Sequence, residues 1–305
     1  MINEIRDIPK RAEAIFKATR GLSLPIGVPY LGMGSSHYAT LALFYQGIPI
    51  RPEPASEYYN YLKNVYNVKK AVLISQSGKT SEVLWCREVL TQYIAITNDT
   101  KSALAVSPKA REVVDLQAGK EIHAATKTYV NTLITLFNGL GINPQEGVNA
   151  LKRNMTKYEK WGENAAKILF REINTSEFKG VYIIGNGPNI ATARQGALLA
   201  SETTKYPFIG MSVSQYDHGP KETAKGTAVI LIKSNGPSNR RTENLFKLVE
   251  KAGAKILQFE ETELQEALSP IASIVPIAFM AHYLATMMEI PETFAVGKKV
   301  TQVDK

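Results

Sequence analysis

Apolar residues fall along the chain in two rhythms. Short, largely apolar runs recur at 28–31, 71–74, 93–97, 113–116, 181–184, 228–232 and 255–259. Runs of this length bounded by Gly, Ser or Pro predict strands buried on both faces. The stretches between them space their apolar positions three and four apart and predict helices over 37–45, 81–90, 124–140, 148–173, 188–200 and 243–251. At the start, Ile5, Ile8, Ala12, Ile15 and Phe16 form one helical face over 2–18, which Pro9 must kink or restart. Strands alternating with helices give an α/β class with parallel sheets covered by helices.

The order of these elements repeats. PYLGMGSSHYATLA near residue 30 matches YIIGNGPNIATARQ near residue 183, with Gly32 over Gly185. AVLISQSGKT matches AVILIKSNGPS at nearly the same offset, with Ala71 over Ala228. The chain therefore reads as two tandem doubly wound domains with central parallel sheets: 1–147 with the N-terminal helix, 148–290 with a charged bridging helix, then a tail, 291–305. The segment 141–147 (GINPQEG) is the loop between them. At 305 residues, two domains of ordinary size are expected.

The copies differ in their turns. The first keeps Gly34, Ser35 and Ser36 after one strand and Ser75, Gln76, Ser77 and Thr80 after the next, while the second has mostly Asn, Pro and Lys. Helix N-termini offer unpaired amides and a favourable dipole, and hydroxyls add donors without bulk. In open α/β sheets such turns lie at the carboxyl ends of the strands, where ligands bind. Two of them in one half predict an anion site, although Ser and Thr could instead simply cap the helices. A dinucleotide fingerprint is excluded because His37 stands where a third glycine belongs; a P-loop is excluded because Leu73 replaces its first glycine.

Composition narrows the ligand. The net charge of +8 suits an anionic partner. Its basic pairs, Lys69-Lys70, Arg240-Arg241 and Lys298-Lys299, are scattered and lack interleaved aromatics, so no nucleic-acid partner is expected. A single cysteine, Cys86, allows neither an internal disulfide nor a cysteine zinc site and fits a cytoplasmic protein. No metal is expected. The nearly uncharged stretch 271–288 is about a membrane span long, but Pro276, His282 and small polar residues favour a helix buried between domains, and no membrane association is expected.

The motifs resemble the SIS (sugar isomerase) family, and more narrowly the isomerase domain of glutamine–fructose-6-phosphate aminotransferases, over nearly the whole chain from Tyr30. Residues 75–80 (SQSGKT) resemble its phosphate loop, and Ala55-Ser56-Glu57 its ASE motif. Residues 119–128 resemble its GxEI…STK segment, one residue shorter, and Gln195 to Glu202 its EGAL…E helix. Asp217-His218-Gly219-Pro220 resembles its KHGP turn, and 297–301 (GKKVT) its AKSVT tail.

The resemblance implies phosphate and sugar contacts from Ser36, Ser75, Gln76, Ser77 and Thr80, and from Glu121 and Thr126. It implies Glu202 as the base moving a proton between C1 and C2, and His218 as the ring-opening group, supplied across a homodimer interface. Lys298, in the tail, is the implied Schiff-base amine. These roles suit ketose–aldose chemistry, which needs an open-chain sugar, a proton shuttle and a held carbonyl. No cofactor is required.

Two places depart from the pattern: Leu199 stands where the family has a lysine one turn before the glutamate, and Gln195 replaces a glutamate. The glutaminase domain is also absent from the motif set. The expected function is an amino-sugar-phosphate deaminase or isomerase converting glucosamine 6-phosphate to fructose 6-phosphate and ammonia. The alternatives are a plain sugar-phosphate isomerase, a fructosamine-phosphate deglycase, and a non-catalytic sugar-phosphate-binding regulator.

Overall fold

In the computed structural model the buried apolar runs pair as strands of two all-parallel sheets. Residues 1–66, 68–237 and 239–304 are described. Asn67, Ser238 and Lys305, and with them the last residue of the AVILIKSNGPS match and the end of the tail 291–305, lie outside the described residues. The chain divides into two compact units. One comprises residues 7–144 and 294–305, and the other Met1–Arg6 with Gln145–Thr293. The first six residues thus pack with the later unit, and the tail from Phe294 packs with the earlier one.

α1 (Ile2–Arg6) precedes the first unit, whose elements follow in order: α2 (Ile8–Ala18), β1 (Pro29–Gly32), α3 (Ser35–Phe44), β2 (Arg51–Pro54), α4 (Ala55–Glu57), α5 (Lys63–Tyr66), β3 (Lys70–Ile74), α6 (Ser81–Val89), β4 (Gln92–Thr97), β5 (Ala110–Asp115) and α7 (Lys127–Gly139). Pro9 restarts the helix rather than kinking it: α1 ends at Arg6, and Pro9 occupies the first turn of α2, where a missing N–H costs nothing. The sheet order is β2-β1-β3-β4-β5. Alternation sends Leu31, Leu73 and Ala95 to one face, where they meet Val83 and Cys86 of α6. Tyr30, Val72 and Ile74 point to the other face, and α2 and α3 pack on α7. Helices therefore flank both faces.

β2 escapes the pattern. Its sequence, RPEP, has no aliphatic residue, yet it pairs with β1 in register Tyr30↔Pro52. It lies at the sheet edge, where a proline loses no ladder bond on its open side.

The second unit contains α8 (Gln145–Ile173), β6 (Gly180–Gly185), α9 (Asn189–Thr204), β7 (Phe208–Ser212), α10 (Val213–Asp217), β8 (Thr227–Asn235), α11 (Asn239–Lys251), β9 (Lys255–Gln265) and α12 (Ser269–Met287), with sheet order β7-β6-β8-β9. Tyr182, Ile184, Val229 and Leu231 pack on α10 and α11. α12 is the long apolar segment. It is the one helix among the described residues apolar and long enough to span a membrane, and most of it is buried. Its partners are α8 and α9 of its own unit, so it serves as that unit's core helix rather than an inter-domain one.

Candidate functional site

In the first unit β1 and β3 are neighbours, paired Tyr30↔Val72 and Leu31↔Leu73. The chain leaves β1 toward β2 on one side and continues from β3 toward β4 on the other. The strand order reverses between β1 and β3, and at such a switch point the loops diverge and leave a crevice for a ligand. The turns after these two strands are the ones singled out by their Gly, Ser and Thr content. Gly32 touches the start of α3 so closely that a Cβ there would lie 2.9 Å from Ser36 Cβ. Gly185 does the same against Asn189 O, at 2.6 Å, so the glycines aligned by the repeat occupy equivalent places.

The hydroxyls of the 75–80 turn do not cap α6. Thr80 is the N-cap residue, but its side chain makes no cap hydrogen bond, and its Oγ1 lies 3.0 Å from Ser75 Oγ. Ser75 Oγ accepts from Gly78 N at 3.1 Å, and Ser77 Oγ accepts from Lys79 N at 3.1 Å. Gly34, the N-cap of α3, has no side chain to contribute. Both helix starts therefore lack a side-chain cap, which argues against the simple capping explanation. The turn is braced from behind: Asn98 N donates to Gln76 O at 3.0 Å and Leu104 N to Gly78 O at 3.2 Å. Gly78 has φ +60°, and a Cβ on it would meet Ser102 Oγ at 1.9 Å, so only glycine fits. Ser35, Ser36, Gln76, Ser77 and Thr80 are half-buried, Gly34 is exposed and Ser75 is buried.

The second unit allows the convergence of such turns to be measured. The repeat places Asn189 over Ser36 and Ser234 over Ser77. Asn189 Nδ2 donates to Ser234 Oγ at 3.1 Å and to Ser269 Oγ at 2.7 Å. Ser234 Oγ in turn donates to Glu266 Oε1 at 3.2 Å. The Glu266 carboxylate lies so close to Gly236 that a Cβ there would sit 2.1 Å from Oε1. In this unit the chain's own carboxylate fills the place between the turns.

Glu121 and Thr126, expected to touch sugar, are bonded to each other. The Glu121 side chain is inaccessible to solvent. Its Oε1 accepts from Thr126 N at 3.0 Å, Thr126 Oγ1 at 3.1 Å and Thr128 N at 3.2 Å; the Thr128 hydroxyl donates to Oε2. Lys299 Nζ completes the cluster at 3.0 Å from Oε2. Sequence reasoning missed Lys299, because two adjacent lysines look alike in a sequence. Lys298 is exposed. Cys86 is no nucleophile: burial pushes its thiol up to about 12, and its Sγ donates to Ala55 O.

Glu202 and His218 both lie in the second unit. Glu202 is half-buried in the last turn of α9, where the Lys205 ammonium donates to its backbone carbonyl. Leu199 and Gln195, on the same helix, are fully buried. His218 is exposed at the C-cap of α10. Beside it, Asp217 pairs with Lys221 at 3.0 Å and Arg241 at 3.1 Å, and these hydrogen bonds lower its pKa.

No family model matches the chain. Among curated proteins it is 26% identical to a glutamine–fructose-6-phosphate aminotransferase [isomerizing] of Thermococcus kodakarensis, over 94% of this chain and 55% of that protein. It is 27% identical to the corresponding protein of Pyrococcus horikoshii, over 93% and 51%. The chain spans about half the length of the curated relatives it matches. Among solved structures, glucosamine-6-phosphate deaminase from Thermotoga maritima superposes with a TM-score of 0.81 at 20% identity over 98% of both chains. The C-terminal domain of glucosamine-fructose-6-phosphate aminotransferase from Francisella tularensis superposes with a TM-score of 0.76 at 17% identity, over 96% of this chain and 97% of that one. The chain is a relative of the isomerase portion of the aminotransferases and has the fold of the SIS phosphosugar isomerases.

Proposed function

We propose that this chain is an amino-sugar-phosphate deaminase built from two tandem SIS-type domains, converting glucosamine 6-phosphate and water to fructose 6-phosphate and ammonia. The observation that carries the reading is the pair of uncapped turns at the switch point between β1 and β3, rich in Ser, Thr and Gly. Such a place suits a phosphate dianion, which needs several short donors and gains from two helix dipoles. The deaminase from Thermotoga maritima has the same fold over 98% of both chains, and the reaction proposed is the one its name states.

In this reading Gly34, Ser35, Ser36, Ser75, Gln76, Ser77 and Thr80 hold the phosphate. His218, from the second subunit of a cytoplasmic homodimer, protonates the ring oxygen so that the sugar opens. Lys298 engages the carbonyl carbon as an amine, and Glu202 carries the proton between C1 and C2. Glu121 and Thr126 shape the site by holding its loop.

Ammonia release from glucosamine 6-phosphate, followed by a coupled dehydrogenase assay, tests the proposal. Glu202→Gln is expected to lower kcat at least 100-fold while fructose 6-phosphate still raises the Tm. Undiminished turnover would remove Glu202 from the base role.

A second reading, a sugar-phosphate-binding regulator without turnover, is favoured by one observation. Leu199 takes the place of a lysine beside the proposed base and is fully buried. Absence of ammonia release together with a Tm rise from glucosamine 6-phosphate would select it.

A further inference from the structure

Two lysines sit side by side in the tail, and the structure separates their roles. Lys299 Nζ donates to Glu121 Oε2 at 3.0 Å, to Glu121 O at 3.0 Å and to His123 O at 2.6 Å. An ammonium has three N–H donors, so all of them are committed and none is left for chemistry. Its carboxylate partner is itself anchored by the backbone amides of Thr126 and Thr128 at the start of α7. The carboxylate is therefore held by bonds that do not depend on the lysine. Lys298, one residue earlier, is exposed, and Gly297 with φ +79° gives the backbone a turn directly before it.

A second tie lies four residues on. Val303 N donates to Ser81 Oγ at 2.9 Å. Ser81 opens α6 and follows Thr80, the last residue of the SQSGKT turn. Four extended residues span at most about 14 Å, so the tail bridges the short distance from the segment before α7 to the start of α6, which follows the turn at the carboxyl end of β3. That end is where the phosphate turns open.

We propose that the Lys299–Glu121 pair is a clasp that fastens residues 294–304 as a strap beside the mouth of the phosphate cradle. Lys299 is a positioning residue, and its neighbour Lys298 is left exposed as the reactive amine. The part concerning the cradle rests on the phosphosugar reading; the clasp itself does not.

The experiment compares full-length Lys299→Met, Lys299→Arg and Lys298→Met by amide hydrogen exchange and by titration with fructose 6-phosphate and inorganic phosphate. Loss of a charge-assisted bond to a buried carboxylate should open the strap about 10- to 100-fold more often, read as faster exchange over 300–304 in Lys299→Met. Lys299→Arg, which keeps the charge, should restore most of the protection, and Lys298→Met should leave exchange at the native rate. Fructose 6-phosphate affinity should fall roughly tenfold in Lys299→Met, the open strap being the competing state. Inorganic phosphate, which lacks a sugar for the strap to cover, should be less affected.

Unchanged exchange in Lys299→Met, or an equal rise in Lys298→Met, overturns the clasp. A loosened strap with unaltered fructose 6-phosphate affinity overturns its placement beside the cradle. If the native chain binds neither ligand while Lys299→Met still loosens the strap, the clasp stands and the phosphosugar reading falls.

Discussion

Gly78 shows how one residue can fix the shape of a turn. Its φ of +60° and the Ser102 side chain behind it leave no room for a Cβ, the nearest atoms being Ser102 Oγ at 1.9 Å and Ser102 Cβ at 2.4 Å. Gly78→Ala must either displace Ser102 or open the turn. Opening the turn breaks the bond from Gly78 N to Ser75 Oγ and misaims the hydroxyls. We expect a loss of stability on the order of 1–3 kcal/mol, from backbone strain and overpacking. Affinity for a phosphorylated sugar should fall at least tenfold, and calorimetry with fructose 6-phosphate reads both. An unaltered affinity would mean the turn does not shape the site. The glycine is visible in the sequence, and so is its place between Ser77 and Lys79. Ser102, which makes glycine compulsory, lies 24 residues away in the chain and gives no signal of its own.

At the scale of elements, α12 passes against α8 at a point where Gly162 removes the obstacle. A Cβ there would come 2.7 Å from Pro276 O and 2.6 Å from Phe279 Cβ. Gly162→Val should destabilise the chain by about 2–4 kcal/mol, read from denaturant unfolding. The periodicity of α8 shows which face is buried but not that this glycine marks the crossing.

Beyond α12, Glu292 receives His282 Nδ1 at 2.6 Å and the Met1 amino group at 2.9 Å. Burial alone would raise its pKa, but these two hydrogen bonds outweigh burial and hold it at about 2, against an ordinary value of 4.5. A carboxyl depressed by folding stabilises the fold above its unfolded pKa, and that contribution is lost as pH falls through the folded value. Glu292→Gln should therefore cost on the order of 1–3 kcal/mol near neutrality, with the gap closing between pH 4.5 and 2, as thermal melts at stepped pH would show. A constant gap across that range would contradict the pairing. The strands show the same division between pattern and context. β3 and β8 announce themselves as aliphatic runs, whereas β2, with RPEP, and β7, with FIGMS, are edge strands whose pairing comes from their neighbours.

For the whole molecule, the informative contrast is between two similar turns with different contents. In the second unit Asn189, Ser234 and Glu266 satisfy one another, so the place between the turns already holds an anion. In the first unit the Ser75 and Thr80 hydroxyls bond each other and Ser77 Oγ accepts from Lys79 N, all within one turn. One phosphate should therefore bind per chain. Titration with inorganic phosphate is expected to saturate at one equivalent, and two equivalents would show that Glu266 does not hold the second cradle. The sequence repeat predicts where both turns lie; Glu266, outside the repeated motifs, decides which of them is open.

The sequence by itself determined the alternation of strands and helices, the repeat, and the turn with the donors a phosphate needs, because these depend on residues close together in the chain. Folding alone decided the order of strands that sets β1 beside β3, the carboxylate that fills the second pair of turns, and which of the two tail lysines pairs with Glu121. Each of these depends on atoms brought within hydrogen-bonding distance from remote segments. Glu121 and Lys299 stand 178 residues apart and meet at 3.0 Å, a pairing that local pattern does not encode.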